Sequence, residues 1–316
     1  MAKYRARLPQ LSNRLFLTDG GIETSLIYLD GFELPMFAAF DLFKNETGRK
    51  GLRNYYARYA SIANAHGLGF VLESPTWRAN PDWGSKLGYS ATDLMRINRE
   101  AIALMVDLRK EFETVGSPMV ISGCFGPRGD GYDPGKKMST RQAEDYHAFQ
   151  ADLFADSEAD MVTAITMNYV EEAIGIARAA AAAGIPSAIS FTVETDGRLP
   201  TGQTLEDAIV AVDDATGGAP AYYMINCAHP THFEEKLKAG APWVGRLRGL
   251  RANASTRTHA ELDQASELDA GNPVELGRQY SKLRQKFGKL NVLGGCCGTD
   301  HRHVEQIALA CAPVNA

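Results

Sequence analysis

Apolar and polar positions along this chain fall into two alternating rhythms. Short apolar, β-branched runs recur as "RLFLTDGG" around Phe16, "LGFVLES" around Val71, "PMVISG" around Val120 and "ADMVTAIT" around Val162. Four more follow, "PSAISFTV" around Ile189, "AYYMINC" around Met224, "PWVGRLRG" around Val244 and "LNVLGG" around Val292. Between them lie longer stretches of helical periodicity, predicting helices over 51–66, 91–113, 140–157, 169–183, 204–216 and 274–287. Unbroken apolar runs of this length read as parallel strands buried on both faces and joined by crossover helices. Eight such pairs predict an α/β protein of the (β/α)8 TIM barrel type, with a packed interior and its chemistry at the strand C-terminal ends. A doubly wound open sheet is the rival that shares the local pattern. No linker or composition shift divides the chain, so one domain over residues 1–316 is expected. Two stretches are too long for ordinary barrel loops, "TSLIYLDGFELPMFAAFDLFKNETG" after the first strand and "RANASTRTHAELDQASELDAG" after the seventh. Both fall on the strand-exit side, where an active-site lid is built.

Composition narrows the class. The 316 residues are 45% hydrophobic with a net charge of −5, which suits a soluble protein with a large core. No apolar run approaches the ~18 residues of a membrane span, and the opening "MAKYRARLPQLSNRLF" lacks the apolar core of a secretory signal. The expected location is cytoplasmic, with no membrane partner. Without a concentrated basic cluster there is no expected nucleic-acid surface either, which leaves small-molecule chemistry. Oligomeric state, a homo-oligomer included, is left open by the sequence.

If function collects at strand exits, the residues to read are those that follow each strand. They include Asp19-Gly20-Gly21, Glu73 with Trp77, Cys124, Thr166 with Asn168, Glu194, Asn226-Cys227 with His229, and Cys296-Cys297. Cys227, Cys296 and Cys297 thereby converge on one rim, as the three protein ligands of a catalytic Zn²⁺ site with one position left for substrate. Adjacent strand residues point to opposite faces, so the chain must turn for both neighbouring cysteines to face one ion. Gly294, Gly295 and Gly298 are expected to supply the dihedral freedom for that turn. Three thiolates leave the zinc unit a formal charge of about −1, which suits activation of a thiol better than polarisation of a carbonyl. A free thiol, with a pKa of ~8.5, is mostly protonated at neutral pH, and coordination deprotonates it. Attack by such a thiolate on an electrophilic carbon is the expected reaction. Cys124 and Cys311 read as small buried hydrophobes, His229 as a residue that supports the metal ligands or starts a helix, with metal ligation the lesser alternative, and "GPRGDGYDPG" as a turn-rich rim loop whose Arg128 is a candidate carboxylate contact.

The stretches "DGGIETSL", "INCAHPTHF", "LGGCCGTDHRHV" and "SFTVETDGRLPTGQTLEDAI" resemble the homocysteine S-methyltransferase family, from about residue 15 to 310. The resemblance implies a barrel holding zinc through Cys227, Cys296 and Cys297. It also implies methyl transfer from an onium donor, S-methylmethionine, another sulfonium or betaine, to homocysteine, giving methionine. Asp19 and Gly20 match the family motif that contacts the amino-acid end of homocysteine. A cationic donor would be attracted to aromatic faces, making Trp77 and Trp83 candidates. The chain departs from the family at Ile165, where relatives carry the Glu that receives the homocysteine ammonium. Glu73 or Glu194 would have to replace it, or else the acceptor is a thiol without that group. Two other classes stay in view: a redox sensor with a vicinal Cys296–Cys297 disulfide resolved by Cys227, and a catalytically silent binding barrel.

Overall fold

The computed structural model describes residues 2–265 and 267–312. Eight strands, β1 (Phe16–Leu17), β2 (Gly69–Glu73), β3 (Met119–Phe125), β4 (Met161–Met167), β5 (Ser187–Thr192), β6 (Tyr222–Asn226), β7 (Leu247–Ala252) and β8 (Val292–Gly295), follow one another around a closed barrel. All neighbours are parallel, and the ring closes where Phe16 and Leu17 pair with Val292 and Leu293. This is a (β/α)8 TIM barrel.

The principal helices are α1 (Glu46–Ala65), α2 (Ala91–Phe112), α3 (Thr140–Ala155), α4 (Val170–Ala182), α5 (Leu205–Thr216), α6 (Pro273–Lys286) and α7 (His301–Cys311). Helix α1 starts five residues before the apolar periodicity does, because Asn45 caps it by accepting from Gly48 N at 2.8 Å, and its first turn is polar. The strand expected around Val244 begins later, at Leu247; Pro242–Arg246 forms a 3₁₀ turn, which a proline at its first position favours. Only a short helix, Pro230–Phe233, and a 3₁₀ turn connect β6 to that segment.

Buried residues from seven strands, Phe16, Val71, Val120, Met161, Ala188 and Val292 with Tyr222 and Met224 both from β6, pack with Leu8 inside the barrel. In β7 the matching space is taken by Gly249, where an added Cβ would overlap Met224. The N-terminal segment is pinned near this layer by Arg5, which donates to the carbonyls of Ala155 at 2.8 Å and Ala159 at 2.7 Å. A second, larger apolar layer lies between sheet and helices. The long loop after β1 carries helical turns at Ile22–Thr24, Ser25–Leu29, Pro35–Phe37 and Ala39–Lys44, and the loop after β7 carries His259–Asp263. No helix among the described residues is long and apolar enough to cross a membrane.

Candidate metal centre and the carboxylates beside it

Strand β6 delivers Cys227 one residue past its end, and β8 delivers Cys296 and Cys297 immediately past Gly295. Cys227 has φ 53°, a left-handed backbone that a non-glycine residue adopts only where its surroundings hold it. Here its N–H donates to Arg251 O at 3.1 Å, and His259 Nε2 meets its carbonyl at 2.5 Å. The three Sγ atoms lie within 4.8 Å of one another, that of Cys227 being 3.9 Å from that of Cys297. Cys227 and Cys296 are joined as a disulfide, with Cα atoms 5.4 Å apart. Disulfide bonding therefore links β6 to β8, not the vicinal pair.

This donor set fits a tetrahedral zinc ion once reduced: Zn–S bonds of ~2.3 Å place sulfurs about 3.8 Å apart, close to the Cys227–Cys297 separation. Above the sulfurs, the Tyr132 hydroxyl is 3.6 Å from Cys297 Sγ, and its ring lies 4.1 Å from that of His259. Cys124 and Cys311 are buried and free, with burial pushing both thiols up, Cys311 to about 11. His229 starts the Pro230–Phe233 helix, its Nδ1 accepting from Thr231 N.

The glycines do a different job from the expected one. Of the three around the cysteine pair, only Gly298 has a left-handed backbone, φ 78°. At Gly294 a Cβ would overlap Thr18 Oγ1, and at Gly295 it would overlap Thr299 Oγ1. These two glycines serve close packing of β8 against β1 and the following turn, while the turn itself is made at Gly298, whose N–H donates to Thr24 Oγ1 at 3.0 Å.

Beside the sulfurs, Arg251 points from β7 into the barrel mouth and holds two carboxylates, Asp19 Oδ1 at 2.7 Å and Glu73 Oε2 at 2.6 Å. Its remaining N–H groups reach Gly295 O at 3.1 Å and Gly20 O at 3.3 Å. Burial pushes the Asp19 carboxyl up and that of Glu73 up to about 7, while the guanidinium pulls both down. The Tyr55 hydroxyl donates to Asp19 Oδ2 at 2.7 Å and lies 3.0 Å from Gly20 O. Thr166 and Asn226 are engaged with each other: Thr166, at φ 64°, donates its N–H to Asn226 Oδ1 at 3.0 Å and accepts from Asn226 Nδ2 at 2.9 Å. Glu194 stands nearer the solvent, 3.3 Å from His259 Nδ1.

The tryptophans already carry the chain's own cations. Arg78 lies 4.7 Å from the Trp77 ring and 3.8 Å from the Trp83 ring, and Lys86 sits 4.0 Å from Trp83. Trp77 Nε1 donates to Ile165 O at 3.3 Å. Arg128 is turned to its own loop, donating to Lys136 O at 2.7 Å. The Ile165 side chain is buried and apolar, on the stretch of β4 where the register shifts between Ala164 and Met167. Four residues of the site lay outside the reading of strand exits: Arg251, Tyr132, His259 and Glu23. A charged residue inside the apolar run "LRGLRA" was the available signal for Arg251.

The family model for homocysteine S-methyltransferase matches residues 16–311. Among curated proteins, methionine synthase of Mycobacterium leprae is 27% identical over 334 residues, covering 98% of this chain and 25% of that protein. The methionine synthase of Mycobacterium tuberculosis is 26% identical over 338 residues, covering 97% and 25%. The chain thus spans about a quarter of the length of these relatives. Among solved structures, the oxidised form of the homocysteine methyltransferase MmuM from Escherichia coli superposes with a TM-score of 0.73 at 17% identity, covering 97% of this chain and 99% of that one. Its metallated form gives 0.70 over the same shares. At that identity the likeness speaks for the barrel. The family match, however, runs from the first barrel strand to the last helix, and on it the chain belongs to the homocysteine S-methyltransferase family.

Proposed function

We propose that this chain, acting as one barrel domain, moves a methyl group from a small onium donor, S-methylmethionine, another sulfonium or betaine, to the thiol of homocysteine, giving methionine. The observation that carries the reading is the gathering of Cys227, Cys296 and Cys297 Sγ within 4.8 Å at two strand exits. These residues would hold Zn²⁺, which when bound keeps the acceptor thiol deprotonated at neutral pH. In the transfer the acceptor sulfur forms a bond to the methyl carbon as the carbon–onium bond breaks, so the donor leaves as a neutral thioether or tertiary amine. The chain's own part is placement. Arg251 fixes Asp19 and the Gly20 carbonyl at the mouth, and Tyr132 with His259 roofs the sulfurs.

The test is metal analysis of protein purified anaerobically under reducing conditions, followed by a matrix of thiols against onium donors read by mass spectrometry. About one zinc per chain and saturable methylation of homocysteine are expected, both lost in Cys297→Ser. Full zinc and undiminished activity in that variant would refute the reading. A second reading, thiol redox sensing, rests on the Cys227–Cys296 pairing. It predicts reversible oxidation and no tight zinc in the reduced protein.

A further inference from the structure

Bringing a thiol to the three cysteines brings the rest of its molecule to the acidic groups around them, and these differ in what they already hold. Asp19 and Glu73 share Arg251, at 2.7 and 2.6 Å. Glu194 has His259 at 3.3 Å. Asp130 caps its own loop, its Oδ1 accepting from Tyr132 N at 2.8 Å and Asp133 N at 3.1 Å. Glu23 has no ion-pair partner among the described residues.

Its position is set from both sides. At Gly21 an added Cβ would come within 2.5 Å of the Cys296 carbonyl, and Thr24 Oγ1 accepts from Gly298 N at 3.0 Å. The residues flanking Glu23 therefore grip the turn that carries Cys296 and Cys297. Glu23 itself stays partly exposed, and its charge is felt by Cys297, Cys124 and Tyr132. Arg251 and Arg78 act on it only from a distance: Arg251 is committed to Asp19 and Glu73, and Arg78 donates to Met36 O while stacking on Trp77 and Trp83. Strand β4, at Ile165, offers the mouth no charge.

A carboxylate with no ion-pair partner beside the cysteines is stabilised by a cation that arrives with the substrate. We propose that Glu23 receives the ammonium of the acceptor, so that this chain selects α-amino thiols with a carboxylate from the β1 loop in place of one on β4. The assignment rests on the methyl-transfer reading above and adds to it a specificity-determining residue and a substrate class.

The experiment compares wild type with Glu23→Gln and Glu23→Asp, as reduced, zinc-loaded full chains. The acceptors are homocysteine and 4-mercaptobutanoate, the same thiol without the amine, at saturating donor; homocysteine binding is also measured by calorimetry. Glu23→Gln is expected to raise the homocysteine KM and Kd about 10- to 100-fold, the size of a lost charge-assisted hydrogen bond. The KM for 4-mercaptobutanoate, the donor KM and the zinc content stay unchanged, and Glu23→Asp falls between. Equal weakening of both thiols, a rise confined to the donor KM, or an unchanged homocysteine KM overturns the assignment. Wild type that methylates 4-mercaptobutanoate but not homocysteine overturns it while leaving methyl transfer standing. Wild type that methylates neither thiol refutes the function and the assignment with it.

Discussion

Arg251 holds two carboxylates and two carbonyls at once, inside a barrel mouth where Asp19, Glu73 and Arg251 are all buried. Removing the guanidinium while leaving Asp19 and Glu73 strands buried negative charge. Arg251→Met is accordingly expected to lower folding stability by about 3–5 kcal/mol, read by chemical denaturation of the reduced protein. The cysteines and Asp19 were legible because their residue types sit at strand exits, a position set by local pattern alone. The Arg251 partnership was not, since its partners Asp19 and Glu73 come from β1 and β2, and nothing local to "LRGLRA" names them. Likewise Trp77 and Trp83 were legible as aromatic rim residues, but not the fact that Arg78 lies against both rings.

At the scale of elements, the cysteine turn runs straight into the cap of α7. Asp300 accepts from Arg302 N at 2.9 Å and pairs with the Arg302 guanidinium at 2.5 Å. Burial raises its carboxyl, but His303 and Arg302 more than offset this and hold it well below the ordinary 3.8. A depressed carboxylate contributes its stability in full above the unfolded value and loses it as pH falls toward the folded one. Asp300→Ala should therefore cost about 1–2 kcal/mol at neutral pH, with the gap from wild type closing below about pH 4; thermal melts across a pH series measure both. Elements with sustained periodicity, such as β3, α2 and α6, could be read from the sequence within a residue or two. The start of α1 could not, because its polar first turn carries no apolar beat, and neither could the start of β7, where Pro242 turns an apolar run into a 3₁₀ turn.

Taken as a whole molecule, the site ties distant parts of the chain together. A metal held by Cys227 and the Cys296–Cys297 pair would bridge β6 to β8 across β7, and its binding to the native state alone would add to stability. With zinc at about a hundred times its Kd the gain is about 2.7 kcal/mol, roughly 4 °C in Tm for a chain of this size. Chelator-treated, reduced protein should melt lower by that margin and recover on adding zinc, while Cys297→Ser shows no such rise; scanning fluorimetry is sufficient.

The pairing of Phe16 and Leu17 with Val292 and Leu293 has a consequence of its own. Every sulfur of the centre comes from the last three strands, and Asp19, Glu23 and Glu73 come from the first two strands and the loop between them. Laid flat in the same order, β1 and β8 would be the two outer edges, seven strand spacings or about 34 Å apart. The cysteines would then stand on one margin and the acidic residues on the other. The β1–β8 seam is thus what brings the cysteines and the acidic residues together on one rim.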